Sequence, residues 1–256
     1  MGTPAFSLYN KTVFLLLVIT VLALGEVPLL SNLLSWQTAF FHEISHGLAA
    51  LATGGRLLQI ELHFSGSGLC YTAGGIRWLV LLAGYAGSSF WGLLLYLSGW
   101  ASSIPDQKKR PQTLYDLTSP TSTSRIKSAQ PSKNIALLPA LGVTVVLIFT
   151  GALYARDIQT LLVILSLTVL YLGAVSFRRF TPLRLFLKVA GLYVMLDALK
   201  ALRALIKHQA ASDSAQLAAL TGAPELFWIG CWLTMAFTCL VLAWKSEWRT
   251  KERPDF

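Results

Sequence analysis

His42-Glu43-Ile44-Ser45-His46 interrupts an apolar run over residues 36–52. Residues four apart lie one turn from each other on the same face of an α-helix. Both imidazoles can therefore reach one tetrahedral zinc, and Glu43 stands beside them to work on a water at the same ion. Chance matches to this pattern come mostly from soluble surface helices. Here the polar residues sit among Phe40, Phe41, Ile44, Leu48 and Leu51, in a run where an ionisable group at the centre of a bilayer costs at least about 2.5 kcal/mol. The chemistry on offer is a buried zinc hydrolase site, with His42 and His46 as metal ligands and Glu43 as the catalytic base. The plainer alternative is that the histidines are hydrogen-bonded groups that pack helices together or line a polar cavity.

A catalytic zinc takes three protein ligands and keeps a fourth position open. Outside the motif, Asp197 is the one acid in the middle of a late apolar segment, set in Tyr193-Val194-Met195-Leu196-Asp197-Ala198-Leu199. It is the expected third ligand, against an alternative in which it pairs with Lys200 or Arg203 along its own helix. Glu26 and His63 are the substitutes. Ser212-Asp213 reads as local helix grammar instead: either residue can cap a short amphipathic helix over 214–220. Gly222 would end that helix, and Pro224 with Glu225 would start the next.

The elements that must position these groups belong to a membrane protein. Mean hydropathy is +0.58, and charged residues make up 13% of the 256, about half of the roughly 25% usual in soluble domains. Apolar segments near the roughly 20 residues that cross a hydrocarbon core lie at 13–30, 36–52, 78–100, 135–153, 158–177, 183–206 and 226–244. The predicted fold class is thus an all-α polytopic membrane protein of about seven transmembrane helices. The first run could instead be a cleaved signal peptide; its extension through Val27 to Leu30 favours a retained span.

Basic residues place the threading. Lys108, Lys109, Arg110, Arg125, Lys127 and Lys133 follow the third span, Arg178, Arg179 and Arg184 the fifth, and Lys245, Arg249, Lys251 and Arg253 the last. All lie on one side of a seven-span arrangement, which puts the carboxyl terminus in the cytoplasm of a multi-pass protein, expected in the cell membrane. The net charge of +9 is dispersed over these loops. It reads as topology and contact with anionic lipid rather than as a nucleic-acid footprint. Cys70, Cys231 and Cys239 show no metal or disulfide spacing.

Between the second and third spans, residues 56–72 alternate, with Ile60, Leu62 and Phe64 on one side and Glu61 and His63 on the other. The pattern predicts a β-hairpin beside the membrane, turning at Gly66-Ser67-Gly68 and closed by Gly74-Gly75. Its functional reading is an edge that aligns an extended substrate beside the zinc, with Gly66, Gly68 and Tyr71 as substrate-positioning residues; the alternative is a plain connection. The polar, basic stretch 102–134 reads as a flexible cytoplasmic linker. It divides a three-span front part, 1–101, from a four-span back part, 135–256, and no internal repeat is apparent.

Taken together, Phe41-His42-Glu43-Ile44-Ser45-His46-Gly47, the glycine-rich hairpin and Leu196-Asp197 resemble the site-2 proteases, the intramembrane zinc metallopeptidases. Thr53-Gly54-Gly55-Arg56, Ala83-Gly84-Tyr85-Ala86-Gly87 and Leu220-Thr221-Gly222-Ala223-Pro224 resemble a compact, mostly bacterial branch of that family. The resemblance implies Zn2+ held by His42, His46 and Asp197, Glu43 as general base, and membrane proteins as substrates. The family's late motif usually reads Leu-Asp-Gly after an Asn and prolines; here Ala198 follows Asp197, and no Asn-x-x-Pro precedes it. That departure leaves two other readings open: a non-catalytic relative that binds membrane proteins, or a transporter. A transporter would show paired half-helices or repeats.

Overall fold

The computed structural model describes residues 4–101, 134–176, 182–199 and 212–249. In chain order the elements are α1 (Pro4–Leu24), α2 (Pro28–Ala52), strands β1 (Arg56–Leu62) and β2 (Gly68–Ala73), α3 (Arg77–Ala101), α4 (Asn134–Tyr154) and α5 (Ile158–Ser176). Then come α6 (Pro182–Met195), a 3₁₀ turn (Leu196–Ala198), α7 (Asp213–Thr221) and α8 (Glu225–Arg249). The chain is largely helical, as expected. The 102–134 linker falls almost wholly outside the described residues, as do Lys200 and Arg203.

Four helices are long and apolar enough to cross a membrane: Arg77–Ala101, Ala136–Tyr154, Ile158–Ser176 and Glu225–Glu247. Among the described residues seven spans are not confirmed, and local features of the chain bear on the difference. α2 spends much of its length on Ser31, Asn32, Ser35, Gln37, Thr38, His42, Glu43, Ser45 and His46. After 14 residues α6 tightens into the 3₁₀ turn that carries Asp197, and residues 200–206 of the expected sixth span lie outside the described residues. Outward faces of α4 and α5 present Leu138, Val145, Phe149, Leu165 and Val169, each more than half exposed. An apolar surface that continuous belongs in lipid rather than water.

α3 lies at the centre and touches α2, α6, α7 and α8. It can approach α6 closely because Gly92 and Gly191 face each other: a Cβ on Gly92 would meet the Gly191 carbonyl oxygen at 2.6 Å. The main core joins Phe40 and Phe41 of α2, Ile60 and Leu62 of β1, Leu95 of α3, Leu147 of α4, Leu167 and Tyr171 of α5 and Leu187 of α6. α2 starts with Pro28 in its first turn, where the missing N–H has no partner to lose.

The hairpin forms where expected. Its strands are antiparallel, pairing Arg56 with Ala73 and Leu62 with Gly68. An irregularity between Leu57 and Gln59 shifts the alternation, so Leu57 and Ile60, three apart, are both buried. Phe64 lies beyond the strand and is exposed, with its ring 5.8 Å from that of Trp36. On the far side of β1, the Leu62 N–H donates to Thr160 Oγ1 at 2.8 Å. Thr160 is itself held by Asp157 at the start of α5.

Candidate metal centre

α2 sets His42 and His46 on one face, and their rings meet edge to face with centroids 4.8 Å apart. The His46 Nδ1 donates to the Val80 carbonyl oxygen at 2.6 Å. A carbonyl only accepts, so the proton of a neutral His46 is on Nδ1 and its Nε2 carries a lone pair. That Nε2 lies 3.3 Å from Asp213 Oδ2. The His42 Nε2 is 3.0 Å from the same oxygen, while the His42 Nδ1 faces Asp197 Oδ2 at 3.4 Å.

Space for this convergence comes from α3. A Cβ on Gly84 would stand 2.5 Å from the His42 Nε2 and 2.6 Å from the His46 Nε2; only a residue without a side chain leaves room there. Tyr85, next along, sets its ring edge to face against His42 at 4.4 Å and is backed by Trp232 at 4.7 Å. The Trp232 indole N–H donates to the Leu82 carbonyl oxygen at 3.0 Å. Glu43 is 7% exposed and lies under the first residue of β2: a Cβ on Gly68 would come within 2.6 Å of the Glu43 Cγ.

Asp213 opens α7. Ser212 takes the capping duty, its Oγ accepting from the Ala215 N–H at 3.3 Å, which leaves the neighbouring carboxylate free to face the histidines. Gly222, with φ 76°, closes the helix. α7 is docked by Arg77, whose Nη2 donates to Gln216 Oε1 at 2.5 Å, and by Leu217, which shares a buried cluster with Leu81, Ala198, Ile229 and Trp232. Burial alone would raise the Asp213 carboxyl, but the His46 and His42 rings outweigh it and hold the group well below the ordinary carboxylate range.

His42, His46 and Asp213 thus form a group that could hold a metal ion, with ligand atoms within 4.8 Å of one another. The donor set fits a cation. Each imidazole presents both nitrogens to an oxygen acceptor, yet a neutral ring has one proton to give. Both Nε2 atoms face one carboxylate oxygen, an arrangement satisfied by a second proton on the rings or by one cation shared among the three atoms. Two imidazoles and a carboxylate match the preferred ligands of zinc.

The structure brings His42, His46 and Glu43 together, as the sequence reading has them, and sets Asp197 and Asp213 on opposite sides of the His42 ring. Asp197 comes to the site on the Nδ1 side, whereas Asp213 occupies the Nε2 side. Glu26 is exposed after α1, and His63 lies at the hairpin turn; neither joins the metal group among the described residues. Gly66 makes the turn with φ 81° and lies against Ser35. Tyr71 is 45% exposed and donates to Glu61 Oε2 at 3.3 Å, within its own hairpin rather than towards the histidines. The sequence did hold a signal for Asp213: Ser212-Asp213 offers two caps to a helix that needs one.

Cys70, on β2, is close to the site without joining it. Burial first, then the charges of Glu43 and Asp213, push its thiol up to about 12. A thiol kept protonated is a poor competitor for a metal.

Two segments, residues 12–107 and 127–243, match the model of the peptidase M50B-like family. No curated protein and no solved structure matches the chain. The matched segments contain the histidine pair, Glu43 and both aspartates, and cover most of the sequence: the chain belongs to the peptidase M50B-like family, among the site-2 proteases.

Proposed function

We propose that this protein is an intramembrane zinc metalloprotease that hydrolyses peptide bonds of membrane-protein substrates. One observation carries the reading: the His42 and His46 Nε2 atoms and an Asp213 oxygen converge over Gly84, with a buried acid, Glu43, on the next residue of the same helix. A site that only stored a metal would have no use for that acid.

A zinc ion held by His42, His46 and Asp213 would polarise the scissile carbonyl and lower the pKa of a water towards about 7. Glu43 takes the proton from the attacking water and delivers it to the leaving amine nitrogen, so no acyl-enzyme is formed. Gly68 leaves the Glu43 side chain its place, since a Cβ there would crowd it. Because the Leu62 N–H on the far side of β1 is already bonded to Thr160, the free edge for an added substrate strand is that of β2, which begins beside Glu43. An unwound substrate offers its backbone groups to such an edge. We place the protein in the cell membrane, carboxyl terminus in the cytoplasm, on the distribution of its basic loops.

The test is zinc per mole of detergent-purified protein, followed by cleavage of membrane-protein substrates presented in liposomes. Wild type is expected to hold one zinc and His46→Ala to lose it. Glu43→Gln should keep the metal and lose cleavage. Wild type that cleaves nothing while holding zinc would favour the non-catalytic relative, whose support is Ala198 in the late motif. Absence of zinc overturns the hydrolase reading.

A further inference from the structure

We infer that Asp197 is a positioning residue of the metal centre: its carboxylate holds the His42 ring through Nδ1, so that Nε2 is presented to the metal beside Asp213. This rests on reading the centre as a metal site.

The two nitrogens of an imidazole point in different directions, and the two aspartates divide them. Asp213 Oδ2 lies 3.0 Å from the His42 Nε2 and 3.3 Å from the His46 Nε2, a position from which one ion can be shared. Asp197 Oδ2 lies 3.4 Å from the His42 Nδ1, where it accepts the ring proton. His46 is treated the same way, its Nδ1 held by the Val80 carbonyl. Each histidine then has one nitrogen fixed by an oxygen acceptor and the other turned to the shared carboxylate, the arrangement that sets the tautomer of a ligating histidine.

Asp197 is built to stay where it is. It is 3% exposed and sits in the tight turn that ends α6. The next residue, Ala198, is fully buried in the cluster that contains Leu217 of α7 and Trp232 of α8. Its methyl group fills that cluster, giving a residue with a side chain at this position a packing role. The same cluster seats the helix that carries Asp213, and Tyr85 meets the His42 ring edge to face. The ring is therefore fixed by a hydrogen bond at one nitrogen and by an aromatic edge across its face.

The experiment is metal binding by the detergent-purified full chain, measured by competition with a chromophoric chelator for zinc and by the visible absorption of the cobalt(II)-loaded protein. Asp197→Ala is expected to weaken zinc binding about 10- to 100-fold, the usual effect of removing such a partner, while the cobalt spectrum keeps its shape. Asp197→Asn, which retains an oxygen acceptor, should recover part of the affinity. Asp213→Ala should lose or reshape the cobalt spectrum. The inference is overturned if Asp197→Ala binds zinc like wild type, or if the spectra exchange behaviour, with Asp197→Ala losing the band and Asp213→Ala keeping it. Wild type that binds neither metal overturns the metal reading as well, and that result is distinct from either. Size-exclusion profiles and far-UV circular dichroism of the metal-free variants separate a ligand effect from loss of fold.

Discussion

Gly68 and Glu43 pack closely where strand β2 meets helix α2: a Cβ on the glycine would lie 2.6 Å from the Glu43 Cγ and 2.9 Å from its Oε1. The hairpin thereby fixes the rotamer of the proposed base. Gly68→Ala should push the carboxylate away and lower kcat about 10- to 100-fold, the range over which a positioned acid–base group acts. Zinc content should stay at the wild-type level; a fall in both would mean that Gly68 supports the metal rather than the base.

Gly84 separates the two histidine rings from α3. Since a methyl group there would stand 2.5 and 2.6 Å from their Nε2 atoms, Gly84→Ala should remove stoichiometric zinc. Thermal stability of the metal-free protein should change far less, because the obstruction lies in the centre and not in the helix contact. The check is zinc analysis beside a melting curve recorded in chelator.

Arg77 holds α7 from outside by its bond to Gln216. Exposed polar contacts of this kind contribute little to stability, about 1 kcal/mol or less. Arg77→Ala should therefore leave the fold intact and weaken zinc binding by a factor of about 5 at most, the equivalent of 1 kcal/mol. A null result in the chelator competition would show that the buried cluster around Leu217 seats the helix without Arg77.

Asp157 supplies the pH dependence. Partial burial raises its carboxyl, but bonds from the Thr160 hydroxyl and backbone N–H outweigh that and lower it. A carboxyl whose folded pKa is depressed adds stability above its unfolded pKa, near 3.9, and loses it as pH falls through the folded value. The melting temperature of wild type should exceed that of Asp157→Asn at pH 6, and the gap should close as pH falls below about 4. A gap of equal size at pH 6 and pH 3 would count against the carboxylate.

Cys70 should prove chemically quiet. With its thiol pushed up to about 12, it reacts slowly with maleimides at pH 8, and Cys70→Ser should retain a full complement of zinc. Loss of zinc in that variant would mark the sulfur as a ligand.

The parts of this molecule that show in its sequence are those whose physics is local. Period and spacing locate α2 and put His42 and His46 on one face. Alternation with glycine at the turn locates the hairpin, although the irregularity at Leu57 to Gln59 cannot be read from alternation. Asp197 stands out because a charge in an apolar run needs a partner; which ring nitrogen it meets depends on the crossing of α2 with the end of α6, and no local pattern encodes that. Asp213 is hidden by an adequate local explanation, since a helix start accounts for Ser212-Asp213 without a metal. A hydrophobic run does not encode where polar side chains collect along α2, or that the helix tightens after Met195.

The centre takes its two nitrogen bases from chain before residue 101 and both of its aspartates from chain after residue 135, on either side of the 102–134 stretch. A polypeptide severed there would give one fragment the bases and the other the acids, and neither alone could hold an ion. Co-expressed, they would rebuild the centre only by docking as a split protein, with zinc as the reporter of their reunion.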